Sequence, residues 1–260
     1  MEIEWKDEIL YKDIVKWERR LQNEAPFFKK VLEDYNKESS RVLDVSCGTG
    51  FHLMMLAKWG FRGVGVDISN QNIAEASKLA LDNSVEKKIS FKIGNILEIE
   101  RLAEGSFDLI YCIGNTLSIF TLEERKSIVS QLINLLNPKG KIVIQVVNYL
   151  AHTQDEEWHY NPSLKRSTEG SLIFHVRMME WIKRNEKVRM YVQKIVQDSR
   201  ESNEFELIRK STEFFVFHKE DFIEFQEMVE LKVSYYGDYH WNVFDKDKSN
   251  DLVVIIEKNN

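Results

Sequence analysis

The stretch Arg41-Val-Leu-Asp-Val-Ser-Cys-Gly-Thr-Gly50 decides how the rest of the chain is read. Val42, Leu43 and Val45 form a short, nearly continuous apolar run, the pattern of a strand buried on both faces of a parallel sheet. The small-residue turn Ser46 to Gly50 then leads into Phe51-His-Leu-Met-Met-Leu-Ala-Lys58, which reads as a helix. A glycine-rich strand-to-helix turn lets backbone approach a ligand closely, and a helix N-terminus is partly positive.

Working outward, Phe61-Arg-Gly-Val-Gly-Val-Asp67 is a second buried strand that ends in a carboxylate, 23 positions after Asp44. An acid at the tip of the second strand accepts hydrogen bonds from ribose hydroxyls in mononucleotide-type sites. The competing reading is a dinucleotide-binding domain. Its G-x-G-x-x-G fingerprint, laid on Gly48 and Gly50, requires a third glycine where this chain has Leu53. Leucine there packs the helix, and a dinucleotide is disfavoured.

The ordered segments VLDVSCGTG (42–50), GVDIS (65–69), GNILEI (94–99) and FDLIYCIGNTLSIF (107–120) resemble the successive motifs of class I S-adenosylmethionine-dependent methyltransferases. The match runs over about residues 15–150 and returns at the C-terminus, and four motifs in order are more specific than any one. The resemblance implies an α/β fold: a Rossmann-like, seven-stranded, mostly parallel sheet. It implies S-adenosyl-L-methionine as cofactor, with S-adenosyl-L-homocysteine as product. Asp44, Ser46, Cys47, Gly48, Gly50, Asp67, Ile68 and Cys112 are then cofactor contacts. Asn95 meets the adenine edge and Ile96 its face, against ordinary readings as a turn asparagine and a core isoleucine. Ser46 departs from the usual glycine or alanine, and a slightly different turn is expected there. Cys47 and Cys112 read as small apolar fillers at strand ends and not as nucleophiles.

Residues 8–36 read as helical, with Pro26 dividing two helices. Trp17-Glu-Arg-Arg-Leu21 resembles the segment before the first strand in small-molecule N-methyltransferases, where an arginine clamps the cofactor's methionine carboxylate; Arg20 stands at that offset. A guanidinium fork suits a carboxylate. The alternative is that Arg19 and Arg20 form a solvated basic corner. Ser69 or Asn70 caps a helix to about Asp82, 88–94 is a third strand and 106–113 a fourth. Thr121 and Glu124 open a capped helix, and 141–147 is a fifth strand.

The loop Gly114-Asn-Thr-Leu117 lacks the Asn/Asp-Pro-Pro-aromatic tetrapeptide of DNA adenine methyltransferases and resembles Gly-Asn-Ser of glycine and sarcosine N-methyltransferases. Asn115 is accordingly the candidate catalytic and substrate-holding group, against a loop asparagine that only bonds backbone. Asn148-Tyr149 falls at the Arg-Asn-Tyr-Asp motif of the glycine enzymes. Val147 replaces its arginine and Leu150 its aspartate, which puts glycine as substrate in doubt. Either another basic residue such as Arg177 supplies the missing cation, or the substrate carries no carboxylate.

From 151 to 217 the helix–strand alternation stops, and 170–183, 187–196 and 205–216 read as antiparallel strands with a turn at Asn185-Glu186. The expected organisation is a helical cap over 1–40, a cofactor-binding core over 41–150 and 218–260, and a β insertion over 151–217 serving as substrate lid. His152, Trp158, His159, Tyr160, His175 and Arg177 are candidates to line it. His152 with His159 gives only a weak metal pattern, and no metal is expected. Gly237-Asp-Tyr239 resembles a Gly-Asp-Phe at the substrate mouth, which brings Tyr239 and His240 toward the pocket.

Charge and composition narrow the function. Thirty-six basic residues against 42 acidic give a net charge of −6, which argues against DNA and RNA as substrates. The longest apolar runs are too short to span a bilayer, the N-terminus is too acidic for a signal peptide, and two cysteines fit a reducing cytoplasm. The expectation is methyl transfer to a small molecule, at an amine nitrogen. The alternatives are an O-methyltransferase, with His240 or His175 as base, or a cofactor-binding module without turnover. Oligomeric state is left open.

Overall fold

A computed structural model describes residues 15–151, 159–166, 172–197 and 206–259. His152 and Trp158 lie outside the described residues, as does the start of the predicted N-terminal helix.

Seven strands form one sheet in the order β10-β11-β5-β4-β1-β2-β3. They are β1 (Arg41–Val45), β2 (Arg62–Asp67), β3 (Ile89–Ile93), β4 (Phe107–Cys112), β5 (Leu136–Val147), β10 (Leu231–Tyr236) and β11 (Asp251–Lys258). β11 pairs antiparallel with both β5 and β10, and the other pairings are parallel. The strand order reverses between β1 and β4, and in open α/β sheets ligands bind in the crevice at the strand C-termini beside that point.

Helices cover both faces. On one side α1 (Trp17–Val31), α2 (Phe51–Trp59) and α3 (Asn70–Asp82) enclose a core that includes Phe27, Phe28, Leu53, Leu56 and Val42. On the other side α4 (Ile99–Leu102), α5 (Leu122–Asn134) and α6 (Ile223–Gln226) pack Ile99, Ile128, Leu132 and Phe225 against Leu43, Ile110 and Ile144. Ser69 caps α3 by accepting from the Asn72 amide, and Thr121 with Glu124 forms the expected capping box. Leu53, the residue that breaks the dinucleotide fingerprint, is fully buried against β2, where a Cβ on Gly63 would come within 2.8 Å of its Cδ1.

Two expectations are corrected. Pro26 does not divide two helices; it is the tenth of the fifteen residues of a continuous α1. A mid-helix proline orphans the carbonyl four residues earlier. Here that residue is Gln22, on the exposed side, while Phe27, Phe28 and Val31 are fully packed beneath and hold the helix straight through. The 151–217 region holds four strands and not three: β6 (His159–Arg166), β7 (Leu172–Lys183), β8 (Lys187–Gln197) and β9 (Glu206–Phe215) form a separate antiparallel sheet in that order. β6 lacks apolar alternation and contains Pro162; it is an edge strand, where a missing ladder donor is tolerated.

The second sheet is fastened to the first by one buried cation. Arg125 of α5 donates from Nε to the Leu117 carbonyl (3.2 Å), from Nη2 to Phe215 (2.7 Å) and from Nη1 to Val216 (3.1 Å), and it pairs with Asp221 at 3.2 Å. Its guanidinium lies 3.7 Å from the Phe217 ring centroid. Burial lowers its pKa to about 10, so it stays charged at neutral pH. Arg125→Leu removes the side-chain donor to the Phe215 and Val216 carbonyls and the counter-charge of the half-buried Asp221, which keeps only the His218 amide. It is expected to cost about 3 kcal/mol, read as a lowered urea midpoint with an unchanged slope.

Candidate active site

The turn after β1 is built by three residues in the left-handed region: Ser46 (φ 65°), Gly48 (54°) and Gly50 (75°). Gly50 has no alternative, because a Cβ there would meet the Phe91 ring at 2.6 Å. Ser46 adopts a conformation that costs a side-chain-bearing residue strain and that the usual glycine takes without it. Gly48 differs: a Cβ on it would find nothing within 4 Å, so its free side faces open space.

Asp67 closes the turn. Its Oδ2 accepts from the Gly48 amide at 2.8 Å, and its Oδ1 accepts from the Ser69 amide at 2.9 Å and Asn72 Nδ2 at 3.4 Å. A carboxylate has about four acceptor positions, so with three taken there is room for a further hydroxyl donor. Ile68, next along, is 70% exposed, an apolar face beside a polar clasp. Asn95 is exposed and accepts from the Leu97 amide at 3.0 Å, capping the short turn after β3. The Ile96 side chain belongs to the core, at 8% exposure. Cys47 and Cys112 are buried, and burial, reinforced by the nearby Asp44, raises both thiols and keeps them protonated.

Across the switch point, Gly114 (φ 83°) begins the loop after β4. A Cβ on it would meet only Arg20 Nη2, at 3.8 Å. Arg20 is thus not a solvated corner of α1: its side chain is 20% exposed, its Nε donates to Glu24 Oε1 at 2.9 Å, and its guanidinium lies 5.2 Å from the Trp17 ring centroid. The Tyr239 hydroxyl is buried close to Arg20 and Glu24 and completes no hydrogen bond of good geometry. His240, its neighbour, is exposed.

Asn115 (φ 70°) is a clasp. Its Oδ1 accepts from the Val147 amide and the Ser118 hydroxyl, both at 2.8 Å, and its Nδ2 donates to the Tyr149 hydroxyl at 2.9 Å. Tyr149 is 1% exposed and packs with Met179, Val188 and Val216 under the second sheet. Arg177 is exposed on β7, two and four positions before Met179 and Trp181 and therefore on their face of the sheet.

Three participants lay outside the sequence reading. Gln145 accepts from the Gly114 amide with Oε1 (2.7 Å) and donates with Nε2 to Asp251 (2.7 Å), tying the loop after β4 to β11. Glu24 and His52 form a buried pair behind Arg20. A glutamate at a core-facing position of α1 and a histidine in an apolar helix were the available signals.

With this geometry in view, the comparisons with known proteins fall into place. A methyltransferase-domain family model matches residues 36–213, and the chain belongs to that family. A protein of Geobacillus sp. (strain WCH70) designated a methyltransferase is 32% identical over 191 residues, covering 64% of this chain and 75% of that one. The glycine/sarcosine N-methyltransferase of Halorhodospira halochloris is 29% identical over 160 residues, covering 57% and 55%, so the chain spans about half the length of that relative. The structure of S-adenosylmethionine-bound CalS10, an amino pentose methyltransferase from Micromonospora echinaspora, superposes with a TM-score of 0.71 at 16% identity, covering 96% of this chain and 94% of that one. At that identity the likeness shows the fold. The residues present fit S-adenosyl-L-methionine, the molecule bound in that solved structure: open space over Gly48, Arg20 beside Gly114, and a buried Thr49 hydroxyl that lacks a partner. Among the described residues, no group of three metal-ligating side chains exists and no helix is long and apolar enough to cross a membrane.

Asp44 lies beneath the turn at 3% exposure and accepts from the Tyr111 hydroxyl at 3.0 Å. Burial outweighs that bond and raises its pKa from 3.8 to about 8. An acid with a raised folded-state pKa binds its proton more tightly when folded, so its contribution to stability falls as pH rises from about 4 to about 8 and then levels off. Asp44→Asn does not titrate. The variant is therefore expected to gain stability on the parent across that range, a difference that other titrating groups cancel out of; matched urea titrations at pH 5, 7 and 8.5 measure it.

Proposed function

We propose that this chain is an S-adenosylmethionine-dependent methyltransferase acting on the amine nitrogen of a small molecule in the cytoplasm. The observation that carries the reading is the pair of open-faced glycines, Gly48 after β1 and Gly114 after β4, flanking the switch point with Arg20 beside one and Asp67 bonded to the other. In this reading Asp67 accepts from the ribose hydroxyls, Ile68 and Asn95 border the adenine, and Arg20 takes the carboxylate, with the Tyr239 hydroxyl as second donor. Asp44, Ser46, Cys47 and Cys112 shape the floor, and Ile96 supports it from the core.

When bound, the cofactor supplies a methyl group on sulfonium sulfur, already activated toward an acceptor lone pair. The protein's part is alignment and exclusion of water. Asn115, fixed by Val147, Ser118 and Tyr149, retains one Nδ2 hydrogen beyond its Tyr149 bond, with which it holds an oxygen elsewhere on the substrate and leaves the amine lone pair free to attack. The sheet of β6–β9 acts as lid over the acceptor, Tyr149 and Arg177 facing it from below and within. His240 lies at the rim. The core is residues 41–150 and 218–260, with α1 as a helical cap over it.

The names of the Halorhodospira and Micromonospora relatives favour nitrogen over oxygen. A hydroxyl acceptor needs a base; among the described histidine side chains His52 is held by Glu24 and His218 Nε2 lies 3.0 Å from the Asn185 carbonyl, which leaves the exposed His240 as the candidate for that alternative.

Product analysis after incubation with S-adenosylmethionine and separate amine and phenol panels is expected to show N-methylated amines only. Asp67→Ala should weaken cofactor binding by at least about tenfold, the scale of a lost charge-assisted hydrogen-bond pair, measured by calorimetry. Methylation confined to hydroxyls, or cofactor affinity untouched by Asp67→Ala, would overturn the reading.

A further inference from the structure

Behind Arg20 lies a relay of polar side chains with no place in the core's apolar logic. Glu24 sits one turn after Arg20 on α1 at a position that faces inward, in line with Phe27, Phe28 and Val31, and it is 6% exposed. One carboxylate oxygen accepts from Arg20 Nε at 2.9 Å, and the other is hydrogen-bonded to His52 Nε2. His52, on α2 directly after the glycine turn, is 5% exposed. Its ring is walled in by Trp17 at 5.6 Å, Phe28 at 6.0 Å and Tyr111 at 6.5 Å between centroids, so it cannot swing away.

Burying a carboxylate and an imidazole is unfavourable unless each is hydrogen-bonded. Stability alone would be served as well by a leucine and a phenylalanine. The pair does something those could not: it fixes the side-on edge of the Arg20 guanidinium. With Nε engaged and the ring of Trp17 against it, the terminal nitrogens are directed at the Gly114 turn, where Nη2 lies 3.8 Å from the absent Cβ. Binding a carboxylate with an unanchored arginine forfeits much of the gain in ordering its four side-chain torsions.

We infer that Glu24 and His52 are positioning residues that pre-orient Arg20 toward the carboxylate of the cofactor's amino-acid half, coupling the grip on that end to the same helix that follows the glycine turn. Burial holds His52 below its usual range and hence neutral, so its Nε2–H donates to Glu24. Burial alone would raise Glu24, but the His52 bond and the Arg20 charge outweigh it, and Glu24 stays ionised. This inference rests on the proposed role of Arg20 and deepens it.

The test uses two ligands that share the adenosyl half. S-Adenosylhomocysteine carries the amino-acid carboxylate; 5′-deoxy-5′-methylthioadenosine lacks it. Calorimetric Kd values are measured for both with the full chain, alongside thermal melting. Glu24→Ala is expected to weaken S-adenosylhomocysteine by at least about tenfold while methylthioadenosine stays within about twofold. Glu24→Gln, which keeps an oxygen at Arg20 Nε, should recover most of that loss. If Glu24→Ala does not fold, His52→Phe preserves ring packing and withdraws the donor, and the ratio of the two Kd values should shift the same way.

Arg20→Ala separates the two levels of the argument. If it weakens S-adenosylhomocysteine selectively while the Glu24 and His52 variants bind both ligands as the parent does, the positioning role falls and Arg20 stands. If Arg20→Ala itself changes neither Kd, the reading beneath is wrong. An equal loss of both ligands in the Glu24 or His52 variants would mark a purely structural pair and also overturn the inference.

Discussion

One carboxylate holds the working edge of this molecule together. Asp67, at the end of β2, accepts the Gly48 amide from the turn after β1 and the Ser69 amide at the start of α3. The turn has three left-handed residues in five positions, one of them the non-glycine Ser46. Such backbone is unfavourable by itself and persists only where its surroundings over-determine it. Asp67 supplies that constraint, and it does so from a 7% exposed position where water competes little for its lone pairs. The parallel β1–β2 register, which sets Val45 opposite Val66, brings the strand ends level so that the bond can form.

The rest of the crevice is assembled from segments remote in sequence, through side chains that bond backbone. Gln145 links the Gly114 amide to Asp251. Asn115 links the same loop to Val147 and Tyr149. Arg125 fastens the end of β9 to the loop after β4. Each of these groups is mostly shielded from solvent, where a hydrogen bond is stronger and an unmade one more damaging than at the surface. Loops of this kind are therefore rigid for a reason independent of their own sequence. The second sheet meets the first over an apolar patch around Tyr149, Met179, Val188 and Val216, with Trp181 and Phe214 packed against it, and Arg125 adds a polar link at the end of β9.

Much of this was legible beforehand because the signals are local. The apolar runs of β1, β2, β4 and β5, the glycines at 48 and 50 and the caps at Ser69 and Thr121 lie within a few residues of what they determine, and the carboxylate at 67 was legible as the end of its own strand. Where local signals misled, packing had overruled them. Pro26 is tolerated because its orphaned carbonyl faces water while Phe27 and Phe28 are locked beneath. β6 is a strand despite Pro162 because only one of its edges pairs. Ile96, read as facing the adenine or as an ordinary core isoleucine, packs in the core, and His52 is buried against Glu24, 28 positions earlier, a pairing no local signal announces.

The sequence alone determined the class of fold, the position of the glycine turn and the acid that closes it, because strand periodicity and turn chemistry are set by neighbours along the chain. Only the tertiary structure decided which polar side chains meet: Arg20 with Glu24 and His52, Gln145 with Gly114 and Asp251, Asn115 with Tyr149. Partnerships of that kind depend on how α1 crosses α2 and how β11 inserts beside β5. Those placements are fixed by the summed burial of many apolar side chains, and no single stretch of sequence encodes them.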